Sequence, residues 1–293
     1  TDTNDTLATK AKPVIYEPIK FPKPMLAVAL WPKTKNDEDK MSTAIQKIVE
    51  EDASLKVEKN IETSELVLYG IGDQHIDVAV SKMRSKYKVE LELTDPKVPY
   101  RETITGTVTA EGKHKKQSGG AGQFGHVFVT FEPTDSEDMV FEEKVFGGAV
   151  PKQYFPAVEA GLRESMKKGV LAGFKVVGVK ATLVDGKYHE VDSKEIAFKS
   201  AARLAYKAGM PKARPVLLEP IVKVKVTVPE EFTGTVIGDL NKRRGIILGM
   251  ELVSEKEQEV NAEVPMAEMM RYPTELRSFT QGKGSFDQVF DRY

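Results

Sequence analysis

The sequence has no cysteine in 293 residues, which excludes disulfide frameworks, thiolate zinc sites and cysteine nucleophiles. Histidine is scarce, at positions 75, 114, 126 and 189 only, and these lie too far apart for a metal-ligand spacing. No apolar run approaches the ~18–20 residues needed to span a bilayer. The opening TDTNDTLATKAKP lacks the pattern of a signal peptide and reads as the interior of a longer chain. Net charge is almost absent too: 43 Lys+Arg against 44 Asp+Glu leave −1.

That near-zero sum is unevenly distributed. Residues 1–98 carry 15 bases and 17 acids, residues 99–216 carry 18 and 14, and residues 217–293 carry 10 and 13. The middle third is therefore about +4, and it is the part expected to meet a polyanion. A chain this long exceeds one ordinary core, so two or three domains are expected.

Hydrophobic periodicity divides the chain into three blocks. In the first, MLAVALW (25–31), LKVEKN, ELVLYG and KVELEL read as strands. NDEDKMSTAIQKIVEED (36–52) reads as a helix capped by Asn36, with Met41, Ala44, Ile45, Ile48 and Val49 on one stripe. Asp73–Ser85 reads as a second helix, giving a β-α-β-β-α-β unit of the ferredoxin-like kind. The last block repeats that order. IVKVKVTV (221–228) alternates, with Val222, Val224, Val226 and Val228 on one face and Lys223 and Lys225 on the other. Thr233–Arg244 is expected to be a helix ended by Gly245 in the left-handed conformation, and Met266–Phe279 a single helix. The middle block has long strands around TITGTVTAEGKH, HVFVTFEP and MVFEEKV, and a helix from about Pro151. A strand KVVGVKATLVD and a helix Val191–Ala208 begun by Asp192 or Ser193 complete it. The expected fold class is α+β, three modules in series. Their limits are 22–98, 99–216 and 217–293, with 1–21 as the tail of a preceding domain and linker.

Three stretches could carry function. KHKKQSGGAGQFGHV (113–127) sets Lys113, His114, Lys115 and Lys116 before four glycines. A Walker loop needs lysine after its last glycine, and a dinucleotide fingerprint must open a helix, whereas a strand follows here. Two readings remain: a hairpin whose glycines supply positive φ, or a tip facing RNA. DGKYHEVDSKE (185–195) is a turn carrying Tyr188 for stacking and His189 for a hydrogen bond to a nucleic-acid backbone. A solvated turn is its plain alternative. NKRRG (241–245) places Lys242, Arg243 and Arg244 at a helix C-terminus, where they offset the helix dipole or meet phosphates. Asp73 and His75 are expected to cap and pack.

Several longer stretches carry a resemblance. PYRETI (99–104), EGKHKKQSGGAGQFGHV (111–127), GKYHEVDSKEIAFKSAA (186–202), PVLLEPI (215–221) and GTVIGDLNKRRGIILGME (234–251) resemble the translational GTPase elongation factor G. PKTKNDEDKM (32–41) and GIGDQHIDV (70–78) agree as well, all in the family's order. The resemblance implies domains III, IV and V of that family. Domains III and V would be ferredoxin-like, and domain IV between them an α/β domain with a ribosomal-protein-S5-like fold. It also implies a cytoplasmic factor that moves tRNA and mRNA through the ribosome. Two tip loops of domain IV would enter the decoding centre, matching Ser118, Gly119, Gly120, Gly122, Gln123 and Phe124, and Tyr188 and His189. Domain V would meet large-subunit ribosomal RNA through Lys242, Arg243 and Arg244. No catalytic or metal-binding residue and no membrane contact is expected in this chain. GTP and magnesium would belong to a GTPase domain of the same protein that this sequence does not include.

The sequence departs from the family at four places. No Walker loop occurs, Ala121 replaces a basic residue of the tip loop, and Gly72-Asp73-Gln74-His75 stands for Gly-Glu-Leu-His. The helix that the resemblance would place after the last domain is not among these 293 residues. The second and third departures suggest a specialised elongation factor G-like paralogue; a ribosomal protection protein is the nearest alternative.

Overall fold

The structure, a computed structural model, describes residues 3–60, 62–117 and 122–293. Ser118, Gly119, Gly120 and Ala121 lie outside the described residues. The chain forms two compact units, residues 1–99 with 220–292, and residues 100–219 with 293.

In the first unit, β1 (Leu26–Pro32), α1 (Lys35–Glu51), β2 (Lys56–Asn60), β3 (Glu65–Gly70), α2 (Asp73–Tyr87) and β4 (Leu91–Thr94) follow in sequence. The strands make one antiparallel sheet in the order β2-β3-β1-β4. Helix α1 packs through Met41, Ala44, Ile45 and Ile48 onto a core with Leu30, Leu68, Ile76 and Met83. The cap of α1 is Thr34 rather than Asn36. The Thr34 hydroxyl accepts the Asp37 amide at 3.2 Å, and buried Asp37 accepts the Glu90 amide at 3.0 Å, tying the helix start to the residue before β4. His75 accepts the Ile71 amide at Nδ1 and faces Asp52 through Nε2 at 2.9 Å. With Nδ1 accepting, Nε2 carries the proton and donates to Asp52. The GDQH stretch thereby ties the start of α2 to the end of α1.

The second unit contains β5 (Arg101–Ile104), β6 (Val108–Lys116), β7 (Gln123–Pro133), β8 (Val140–Glu143), α3 (Phe155–Ser165), β9 (Val179–Lys187), α4 (Glu195–Gly209) and β10 (Pro215–Leu218). Sheet order is β6-β7-β9-β8, with β8 parallel to β9 and the other pairs antiparallel. The expected strand TITGTVTAEGKH is divided. β5 pairs with β10 in a separate two-stranded sheet, and β6 begins after the break at Gly106, where an added Cβ would lie 2.8 Å from Arg214. Helices α3 and α4 share a core with Val127, Val129, Phe131, Val158, Leu162, Leu183 and Phe198. A 3-10 turn at Lys152–Tyr154 precedes α3.

The rest of the first unit is β11 (Ile221–Pro229), α5 (Thr233–Lys242), β12 (Ile246–Ser254), β13 (Glu257–Pro265), α6 (Tyr272–Phe279) and β14 (Ser285–Arg292), in the order β12-β13-β11-β14. That is the topology of the β1–β4 module again. Val222, Val224, Val226 and Val228 are buried on one face of β11. The expected helix Met266–Phe279 is split into a 3-10 turn at Met266–Met269 and α6, with Pro273 in the first turn of α6. Gly245 is not the left-handed residue: Arg244 takes that conformation, φ 61°. Gly245 is small for another reason, since a Cβ there would lie 2.7 Å from the Leu240 carbonyl oxygen. The two modules of this unit meet through polar contacts, Thr274 to Asp73 at 2.6 Å and Arg271 to Asp95 at 3.2 Å.

Candidate nucleic-acid interface

Strand alternation sorts the basic run before the glycines. In β6, Lys113 and Lys115 take one face, and His114 and Lys116 take the face on which α4 packs. The three lysines are exposed. His114 is held: its Nε2 lies 3.0 Å from Gln123 Oε1 on the neighbouring strand. That contact fixes the Gln123 carboxamide and leaves its NH₂ group to donate. Lys115 is paired with Phe124 and Lys116 with Gln123, so the stretch is a β-hairpin and β7 starts at Gln123 itself.

The described glycines of the hairpin provide room rather than positive φ. Neither Gly122 nor Gly125 is left-handed. A Cβ on Gly125 would lie 2.7 Å from the Ala197 carbonyl oxygen, where α4 crosses the strand. One on Gly122 would lie 2.6 Å from the Asp192 carboxylate. Loop 188–193 therefore presses directly against the hairpin.

Reciprocal hydrogen bonds fix that contact. The Phe124 amide donates to the Asp192 carbonyl at 2.9 Å, and the Ser193 hydroxyl donates to the Phe124 carbonyl at 3.0 Å. Ser193 Oγ also accepts the His189 amide at 2.8 Å. The expected role of Asp192 or Ser193 in starting the helix is not observed. α4 begins at Glu195 after Lys194, because the Ser193 side chain is engaged with the hairpin. Sequence reasoning missed Ser193 as the joint between the loops; a polar residue before a helix gives the same signal in either role.

His189 is oriented from within its own loop. Its Nδ1 accepts the amides of Val191 and Asp192 at 3.3 and 3.2 Å, which places the proton on Nε2. Its ring lies 6.4 Å from that of Phe124, and Tyr188 beside it is exposed. Lys115, Lys116, Gln123, Phe124, His189 and Asp192 line one cleft of about 140 Å³. Of the expected site residues, the structure thus brings Lys115, Lys116, Gln123, Phe124 and His189 together, with Gly122 beside them.

The basic cluster at the end of α5 is divided in its placement. Lys242 is exposed. Arg243 turns inward and bonds the Asp239 carboxylate at 2.8 Å, the Glu268 carbonyl at 2.6 Å and the Glu275 carboxylate, with its guanidinium 5.0 Å from the Tyr272 ring. Arg244 pairs with Glu268 at 3.1 Å. Arg243 is thereby a fastening for α6. Replacing it with alanine is expected to lower the stability of the first unit by about 1.5–3 kcal/mol, the scale of a lost charged hydrogen-bond group, in a denaturant titration. A surface phosphate contact would leave the midpoint unmoved.

Three domain profiles of one family match in series: elongation factor G domain III over residues 21–95, domain IV over 96–214, and the elongation factor G C-terminus over 216–293. The fold is also that of a protein of Thermus thermophilus known from its crystal structure, with a TM-score of 0.85 and 44% sequence identity over 98% of this chain. The chain spans 43% of the length of that protein. With nearly every residue from 21 to 293 inside one of the three matched domains, the chain belongs to the elongation factor G family and carries its third, fourth and C-terminal domains.

Proposed function

We propose that this chain is the ribosome-engaging part of a GTP-driven translocase and that the joined hairpin and 188–193 loop contact the tRNA–mRNA duplex region of the decoding centre. The observation that carries the reading is the reciprocal Phe124–Asp192/Ser193 bridge, which gathers two lysines, the Gln123 amide and the His189 Nε2–H at one exposed end. These groups donate hydrogen bonds and present positive charge. They suit phosphate and sugar oxygens and carry no reading of base sequence, as a factor acting on every codon requires. Ser118, Gly119 and Gly120 belong to the same proposed tip. Lys242 and Arg244 are proposed to contact large-subunit ribosomal RNA, with Arg243 holding the surface behind them. GTP and magnesium are assigned to the GTPase domain of the parent protein.

The test uses the full-length protein in a ribosomal translocation assay. Gln123→Ala and His189→Ala are each expected to slow the step about tenfold, the equivalent of one lost hydrogen bond of ~1.4 kcal/mol to a charged group. Gln123→Ala should leave thermal unfolding within about 0.5 kcal/mol of the parent. Wild-type rates in both variants would overturn the assignment. A specialised paralogue is the alternative suggested by Ala121 and by the Gly72-Asp73-Gln74-His75 departure. Rescue of translation from tetracycline by the full-length protein, without translocation, would place it with the protection proteins instead.

A further inference from the structure

A second basic surface lies on the helical side of the middle unit, and of its basic residues only Lys199 falls within a motif quoted above. Helices α3 and α4 approach closely at Gly161, where an added Cβ would lie 2.6 Å from the Lys199 carbonyl oxygen. Beyond that contact a cleft of about 430 Å³ opens, lined by Glu164, Lys168, Arg203, Tyr206 and Lys207 among others. Lys199, Arg203 and Lys207 recur every four residues on α4, so their row extends about 12 Å along the helix at 1.5 Å per residue. Lys168 faces them across the cleft, and the Tyr206 hydroxyl donates to the Lys168 carbonyl at 3.3 Å, anchoring that backbone.

Glu164 shows what this arrangement holds. One of its carboxylate oxygens, Oε2, sits 2.6 Å from Arg203 and 2.9 Å from Lys199. Hydrogen bonds from these two cations push its pKa down to about 2. A single oxygen between two cationic donors is the geometry a phosphate oxygen would adopt. Lys168 and Lys207, at the same cleft, are exposed.

We infer that the α3–α4 groove is a second nucleic-acid site, which grips the phosphate backbone of duplex RNA through Lys168, Lys199, Arg203 and Lys207, with Glu164 as an internal anion that the backbone displaces. Duplex is favoured over single strand because the aromatic ring lining the groove, Tyr206, is buried and offers no face for a base to stack on. The preference for RNA rests on the ribosomal function proposed above; the phosphate chemistry does not.

The test titrates the 293-residue chain into a fluorescent 20-base-pair RNA duplex at several salt concentrations. Lys168→Ala/Lys207→Ala is expected to raise Kd at least about fivefold. It should also lower the slope of log K against log salt by roughly 1.4–1.8, at 0.7–0.9 per lost phosphate contact. Glu164→Gln is expected to lower Kd, because the groove then holds two freed cations; a merely structural carboxylate would give no such gain. Lys40→Ala/Lys47→Ala, at two exposed lysines of α1 in the first unit, should retain most of the affinity. The inference is overturned by an unchanged Kd in the double groove variant, by unchanged or weaker binding in Glu164→Gln, by absence of binding, or by polyglutamate competing as well as RNA charge for charge. Because no ribosome is present, each outcome is separate from that of the translocation assay.

Discussion

Replacing Glu102 with alanine lowers the stability of the middle unit by about 3–5 kcal/mol, the scale for leaving several buried amides without their acceptor at about 1–3 kcal/mol each before relaxation. Glu102 is only 1% exposed and lies under the 169–174 loop. Its carboxylate accepts the amides of Leu171, Ala172, Gly173 and Phe174 at 2.8–3.1 Å, and a Cβ on Gly169 would overlap it. Burial alone would raise its pKa, but the four amide hydrogen bonds outweigh that and hold it below the usual carboxylate range. The folded-state pKa is therefore the lower one, and the stabilisation is present above the unfolded value of about 4.3. It is lost as pH falls through the folded value. Chemical unfolding followed from pH 7 to pH 2.5 should show the middle unit weakening below about pH 4.5. In Glu102→Gln the midpoint at pH 7 should be lower and that part of the acid slope missing. A variant as stable as the parent at pH 7 would show that the loop closes without the carboxylate.

The second large effect is expected at Gly112. This residue lies in β6 under α4, and a Cβ there would overlap the Ala201 carbonyl oxygen and lie 2.5 Å from the Ala205 amide nitrogen. Both obstacles are helix backbone, which cannot turn aside as a side-chain tip can. Gly112→Ala must lift α4 from the sheet, at a cost of about 3 kcal/mol or more. Because α4 carries Phe198, Ala201, Ala202 and Ala205 into the core, the loss should appear as early unfolding of the whole middle unit in calorimetry. Gly234→Ala, where a Cβ meets nothing within 4 Å, is the matched control and should be neutral or mildly stabilising. Equal midpoints for the two variants would contradict the close-packing account.

Much of the fold was legible because it rests on local periodicity. The alternation of Val222 to Val228 and the stripe of α1 each state which side faces a core, and the repeated strand–helix order states the topology of the two end modules. What was not legible depends on partners distant in sequence. Thr34 and Asn36 are both adequate caps by type, and the choice follows from Asp37 reaching the Glu90 amide. Arg243 and Arg244 are adjacent and alike, yet one turns inward because Asp239, Glu275 and the Tyr272 ring surround it. The glycines of the hairpin were visible, but their reason lies in α4 and Asp192, more than sixty residues away. The same distance hid Ser193 as the joint of the site, while the Lys199, Arg203 and Lys207 spacing stood in the sequence but gained meaning only once α3 supplied Lys168 and Glu164.

The Ser193 joint also has a mechanical consequence. A bare hairpin is compliant and would fold sideways under an axial push. Here a load on Phe124 passes through two hydrogen bonds into residues 192 and 193, one residue short of the helix start. It continues through Tyr154, whose hydroxyl bonds the Ser193 carbonyl and whose ring stacks on Phe198 at 4.5 Å, into the α3 side of the core. The projecting end is thus braced like a strut footed on two helices. Ser193→Ala would remove one of those two hydrogen bonds and the acceptor of the His189 amide, and so soften the strut while the backbone bond from Phe124 to Asp192 remains.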